Sequence, residues 1–407
     1  MKRFLTLLVL IILAGSLLAQ NDNLNQRSIK QKKYLQKIPY KIIGEHLIVV
    51  PVTINGKTYN FLFDTGSSFT ISDKLFKELN LPIIDQKGVM DAEGSIKEMR
   101  FILLPLLQLQ KITFINTLGF VNHEETYDSV NLFECFEIDG IIGSNMFRNS
   151  VVQIDEQNKH IIITDDFKKI ATKKKHYQAL EMELTKIGYP ILSWVGINKG
   201  EQQSSDTKLL FDTGDPSLYT MRLYAYDWFN ENMDIVEIIA ESEGSYAWGI
   251  HGLFEKERHI ILNIPEFRIC GKTFYNIVIP TTNSQISRIG SGLLKYGRVT
   301  LDYKKKRFFY EPYDDINTDE LSERPLAISP TWQNDKLIIG IIWDKSLEAQ
   351  INLGDEILSI DSINIENISL CDYMKLDVFK KSVSDIKTLE LRDIKTGEVK
   401  KIEIKRL

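Results

Sequence analysis

Cysteine is scarce in this 407-residue chain, limited to Cys135, Cys270 and Cys371. Three scattered thiols do not make a disulfide framework. Buried thiols are the plain expectation for Cys135 and Cys270, with a bridge between those two left open. There is no Cys-x-x-Cys or His-Glu-x-x-His spacing, and the six histidines do not cluster. The sequence therefore gives no reason to expect a metal or other cofactor. Basic charge is short as well. A net charge of −5 gives nucleic acid no electrostatic reason to bind. The lysine runs at Lys168–Lys169, Lys173–Lys175 and Lys304–Lys306 are too brief for a phosphate-binding patch and read as solvated charge. Past the first twenty residues no long apolar run occurs, so no membrane span is expected there.

The N-terminus has the layout of a secretory signal peptide. Met1-Lys2-Arg3 is basic, Phe4 to Leu13 is apolar apart from Thr6, and small residues follow at Ala14, Gly15, Ser16 and Ala19. We assign 1–19 to the signal, with cleavage after Ser16 or Ala19, and 20–39 to a polar leader. The expected destination is the periplasm or the extracellular space.

What the chain does contain is a duplication. Asp64-Thr65-Gly66 follows an apolar run, and Asp212-Thr213-Gly214 follows another, 148 residues later. Ile142-Gly143-Ser144 recurs as Ile289-Gly290-Ser291, 147 residues on, followed by the matched pairs Val152/Val299, Asp155/Asp302 and Lys159/Lys306. Between these landmarks Pro105, Thr113, Phe114 and Asn116 match Pro265, Thr273, Phe274 and Asn276. Three landmarks in one order point to a tandem repeat with different loop lengths. Both copies read as β-rich, with short helices after each Asp-Thr-Gly and each Ile-Gly-Ser. The expected organisation is a first lobe over 40–170, a second over 171–315 and a distinct unit over 321–407.

An Asp at the end of a buried strand presents its carboxylate at a strand-to-loop turn. The Gly beyond it permits close backbone approach. Two copies related by a pseudo-twofold axis can bring two carboxylates together. Such a pair shares a proton, so that one member takes a proton from water while the other donates to a carbonyl oxygen.

The motifs Phe63-Asp64-Thr65-Gly66-Ser67-Ser68, Phe211-Asp212-Thr213-Gly214-Asp215-Pro216, Ile141-Ile142-Gly143 and Arg288-Ile289-Gly290 resemble those of the pepsin/retropepsin superfamily of aspartic proteases. The resemblance covers roughly Tyr40 to Pro312, and secreted bacterial forms with duplicated lobes and a C-terminal PDZ-like unit are the most similar. It implies that Asp64 and Asp212 are a catalytic dyad that needs no cofactor. Thr65 and Thr213 would clasp the lobes, beside Gly66 and Gly214, and Ser67 would bond the outer oxygen of Asp64. It also implies flap segments over the cleft, at Ala92, Glu93 and Gly94 in the first copy and at Trp248 and Gly249 in the second. The implied partner is an extended polypeptide substrate. Asp215 stands where the family places Ser, Thr or Ala. Ionised, it raises the pKa of the dyad, and an acidic optimum is expected; the other readings are that it is protonated and donates the hydrogen bond that Ser67 offers on the other side, or that it points into solvent without effect.

The unit from Leu321 onward resembles a PDZ domain through Leu347-Glu348-Ala349-Gln350-Ile351-Asn352-Leu353-Gly354-Asp355-Glu356-Ile357-Leu358. That implies a small α+β fold that takes a peptide ligand by strand addition, or an intramolecular contact with the lobes. Thr331 to Lys336, read as the carboxylate-binding loop, has no Gly. The competing reading of the whole chain is a non-catalytic cell-envelope protein that binds peptides or assists assembly.

Overall fold

The computed structural model describes residues 29–44, 46–90, 96–122, 132–170, 178–245, 248–249, 252–253, 256–313, 321, 324–376 and 386–407. The signal segment and the first flap tip, Ala92 to Gly94, lie outside them. The fold is mainly β, with two barrel-like lobes and a separate C-terminal sheet. In the first lobe the strand Lys57–Asp64 points Tyr59, Phe61 and Phe63 into the core and ends on the first Asp. It pairs with Leu47–Ile54 on one side and, in parallel, with Gly140–Gly143 on the other. The sheet continues through Thr70–Ser72, Ile112–Asn122, Ile96–Leu109 and Ile83–Met90. A contact of Thr53 with Gln108 closes it. Phe63 packs on Phe147 at 5.5 Å between ring centroids, and burial of each such ring stabilises the lobe by about 2–3 kcal/mol.

The second lobe repeats this plan. Gln202–Asp212 pairs antiparallel with Pro190–Lys199 and in parallel with Arg288–Gly290. The strands Met221–Arg222, Lys272–Thr282, Glu257–Ile269 and Glu237–Gly244 complete it. Each Asp-Thr-Gly strand is thus backed by an apolar-Gly strand in both copies. Short helices also fall where expected. Ser72 caps Asp73–Leu79 by accepting from the amide of Leu75, and one 3-10 turn follows each Ile-Gly-Ser.

The lobes join through a common sheet. Val151–Asp155 of the first pairs antiparallel with Gly297–Asp302 of the second. In that register Gln153 lies opposite Thr300, its own counterpart in the duplication, and its amide donates to the Thr300 hydroxyl at 2.9 Å. The pseudo-twofold axis passes through this pair. The outer strand of the common sheet is Leu35–Pro39, paired with His160–Thr164. Residues 35–39, assigned to the polar leader from sequence, are therefore part of the fold. Tyr34 and Ile38 are buried, although the segment is polar on its exposed face.

The C-terminal unit is a six-stranded antiparallel sheet with a helix at Leu370–Lys375, capped by Ser369. Thr331 to Lys336 is not a loop. It is the end of a hairpin in which Gln333 pairs with Lys336, and Asn334 and Asp335 take the left-handed turn conformation. The cysteine expectation is also corrected. Cys135 bonds Cys371 across 236 residues, tying the first lobe to the C-terminal helix, and Cys270 is the buried free thiol. The unit has a second anchor on the other lobe. Ile341 and Trp343 bury themselves against Ala240 and Ile261, and the Ser245 amide donates to the Gly340 carbonyl at 3.2 Å.

Candidate active site

The two Asp-Thr-Gly loops meet at the lobe interface. Thr65 Oγ1 accepts from the Thr213 amide at 3.0 Å and donates to the Phe211 carbonyl at 2.7 Å. Reciprocally, Thr213 Oγ1 accepts from the Thr65 amide at 3.0 Å and donates to the Phe63 carbonyl at 2.9 Å. Both threonines are 1% exposed, so these four cross-lobe bonds are shielded from water. Gly66 donates its amide to Asp64 Oδ1 at 2.8 Å, and Gly214 donates to Asp212 Oδ1 at 2.9 Å. Each glycine also faces the opposite carboxylate. A methyl group on Gly66 would overlap the Asp212 carboxylate, and one on Gly214 would lie 3.0 Å from Asp64 Oδ2. Only glycine leaves room for the two acids to face each other.

The electrostatics follow from that proximity. Burial raises the pKa of Asp64 well above the ordinary carboxylate range, and the charge of Asp212 adds to the effect. Burial also raises Asp212, followed by the charge of Asp215, while Arg288 works in the opposite direction. Each acid acts on the titration of the other, so they titrate as a pair. Side chains remain partly open on the cleft side at both positions.

The residues around the dyad sort unevenly. The Ser67 hydroxyl is turned to the Ser68 carbonyl at 3.3 Å, not to the outer oxygen of Asp64 as expected. The loop is also held from behind. The Ser144 amide donates to the Ser67 carbonyl, and Ser144 Oγ donates to the Thr65 carbonyl at 2.7 Å. Asp215 does not donate a bond in place of Ser67. Its carboxylate accepts from the Ser217 amide at 2.8 Å and from Thr220 Oγ1 at 3.2 Å, and lies 3.8 Å from Arg288 Nη1. In the segment expected as the second flap, Trp248–Gly249 pairs antiparallel with Gly252–Leu253.

Sequence reasoning missed two further residues at the dyad. The Tyr189 hydroxyl lies 3.2 Å from Ser68 Oγ, and burial pushes this phenol up to about 12, with both dyad charges contributing. From the first lobe, His46 Nε2 reaches the Gly214 carbonyl at 3.1 Å. Each sits on a hairpin that crosses toward the opposite loop. A signal for this was present, because Ile43-Gly44 before the first Asp-Thr-Gly strand recurs as Ile187-Gly188 before the second. A crevice of about 740 Å³ lies elsewhere, between the second lobe and the C-terminal unit. Its walls mix Glu237 and Asp344 with Arg324, Lys405 and Arg406, and it contains no part of the dyad.

Fold and site together define a β-rich, two-lobed protein with a pair of facing carboxylates at the lobe junction. Residues 50–146 match the family model described as aspartyl protease, which supports an aspartic-type peptidase domain in that stretch. Among solved structures the chain is similar to conglutin gamma, a basic 7S globulin from lupine seeds, with 10% identity, 69% of this chain and 95% of that one covered, and a TM-score of 0.42. It is likewise similar to the basic 7S globulin from soybean, with 12% identity, 71% and 99% covered, and a TM-score of 0.41. No curated protein matches the chain significantly. Among the described residues, no helix is long and apolar enough to cross a membrane.

Proposed function

We propose that this chain is an aspartic-type endopeptidase whose working pair is Asp64 and Asp212. The observation that carries the reading is the reciprocal clasp of Thr65 and Thr213, which holds the two carboxylates face to face in one chain. A water bound between the acids gives a proton to the ionised member and attacks the scissile carbonyl carbon. The protonated member donates to the carbonyl oxygen as the tetrahedral intermediate forms. The leaving amine then takes a proton from the pair as the C–N bond breaks. Fixed amide donors from Gly66 and Gly214 hold both carboxylates in register throughout.

The substrate in this reading is a polypeptide in extended form, laid in the cleft between the lobes under the two flap segments. The protein acts after export, in the periplasm or outside the cell. The C-terminal unit is a PDZ-like domain held against both lobes. Digestion of a peptide library from acidic to neutral pH is the test, with Asp64→Asn and Asp212→Asn as controls. Wild-type protein is expected to cleave and both variants to lose turnover. A statine-type transition-state mimic should bind the wild type and lose affinity in both variants. Cleavage retained in both variants overturns the proposal. Peptide binding with neither cleavage nor mimic binding favours the non-catalytic alternative.

A further inference from the structure

Two positions change character between the copies, and they change together. The first copy has Ser67 and Ile141 where the second has Asp215 and Arg288. The backbone shows that these positions are equivalent. Ile141 pairs antiparallel with Thr70, and Arg288 pairs antiparallel with Thr220. In the copy where both are charged they touch. Arg288 Nη1 stands 3.8 Å from Asp215 Oδ2, with side chains only 14% and 10% exposed. Thr220 ties the pair together, because it exchanges two backbone bonds of 2.9 Å with Arg288 while its hydroxyl donates to Asp215. In the first copy the Thr70 hydroxyl donates to the Ser68 carbonyl instead.

Neither charge is tolerable alone at such a site. A nearly buried Asp without a cation, or a nearly buried Arg without an anion, carries an uncompensated desolvation cost. The parallel register places both beside the second acid, since Arg288 lies opposite Leu210 and Gly290 opposite Asp212. The Asp215 carbonyl also accepts from the Ser291 amide and hydroxyl, which fixes the loop to the same strand end.

We propose that Asp215 and Arg288 are a matched pair of positioning residues that hold the Asp212 loop and set the pH window of the dyad. The inference rests on reading Asp64 and Asp212 as the working acids. Among the described residues, the titratable and charged groups facing the pair of acids are Asp215 and Arg288 from the second copy, Tyr189 from its first hairpin, Tyr303 near Asp64, and His46 on the Gly214 carbonyl. Asp215 opposes ionisation of Asp212 and Arg288 favours it, so the two act against each other. Removing one leaves the other acting alone.

The experiment compares Asp215→Ser, Arg288→Ile and the double variant, which carries the first copy's residue types. Carboxyl carbon NMR titration reads the dyad without reference to catalysis, with Asp64→Asn and Asp212→Asn assigning the signals. The pH–rate profile on a cleaved peptide reads it through activity. Arg288→Ile should move the titration of Asp212 upward by about one pH unit, and Asp215→Ser should move it downward by a similar amount. The double variant should return to within a few tenths of a unit of the wild type. Arg288→Lys, which keeps the charge, should stay near the wild type and serves if a single variant fails to fold. Unmoved titrations, or single variants that shift in the same direction, overturn the proposal. Shifts as stated in a protein that cleaves no peptide would leave the charge pair standing and remove the protease reading. Cleavage with unmoved titrations would do the reverse.

Discussion

Replacing Thr213 by valine removes one hydroxyl at nearly constant shape, and with it two bonds that cross between the lobes. The Thr65 amide loses its acceptor and the Phe63 carbonyl loses a donor. Both groups stay buried, so water cannot replace the hydroxyl. A buried polar group left unpaired costs about 1–3 kcal/mol, which puts the pair at roughly 2–6 kcal/mol. Thr213→Ser keeps the hydroxyl and gives up one methyl group, worth about 1 kcal/mol. Amide hydrogen exchange at Thr65 isolates the effect from global unfolding. Opening there should become roughly 30- to 25,000-fold easier in the valine variant and change less than about tenfold in the serine variant. Thr65→Val should act in the mirror sense on the Thr213 amide, because its two bonds, to Thr213 and Phe211, are separate from the other two. The reasoning fails if Thr213→Val leaves Thr65 exchange within about threefold of the wild type, since the clasp would then bear no load.

Two further outcomes follow from the same geometry. Both dyad acids have pKa values raised in the folded state, so folding favours their protonated form. Stability from this source is fully present below the unfolded carboxylate value, about 3.9, and is lost as pH rises toward the folded values. Asp64→Asn keeps an oxygen for the Gly66 amide and carries no charge. In urea titrations it should therefore be more stable than wild type at neutral pH, with the gap closing near pH 3; a gap constant with pH refutes this account. Reduction of the Cys135–Cys371 bond opens a loop spanning 236 residues, which chain entropy values at about 5 kcal/mol as an upper figure. Reductant should lower the first thermal transition, and three free thiols should be titrated; three free thiols with an unchanged transition would show that the bond bears no load.

Much of the fold was legible because it is repeated. The twin Asp-Thr-Gly and Ile-Gly-Ser elements sit where the alignment put them, and parallel pairing joins each to its partner. In the C-terminal unit the apolar residues Leu337 to Ile342 mark the strand Lys336–Ile342. What sequence hid was long-range contact. The partner of Cys135 lies in another unit, and no local pattern distinguishes Cys371 from Cys270. Leu35–Pro39 was hidden by its polar residues, which face outward on an outermost strand where only Ile38 needs burial. Asp215 was legible as a departure, and Arg288 as a charged residue in the second apolar-Gly motif. That they answer each other depends on the register of a parallel pair, which single-sequence reading does not supply.

The division between what is symmetric and what is not carries its own logic. The bonds of the clasp cross the axis and must be made by both copies at once, and there the copies agree: Thr65 and Thr213 each accept from the other's amide and donate to the other strand's carbonyl. Groups that serve only one acid are free to diverge, and they do. Asp64 has Ser67 and Ile141 behind it, whereas Asp212 has Asp215 and Arg288. A pair of acids in identical settings shares its proton evenly. Unequal surroundings give the proton a preferred side before substrate arrives. In the proposed reaction one acid must accept from water while the other donates to the carbonyl oxygen, so a built-in preference removes one choice of state from the bound complex. A duplicated chain can place different residues behind its two acids, whereas two copies of a single lobe cannot.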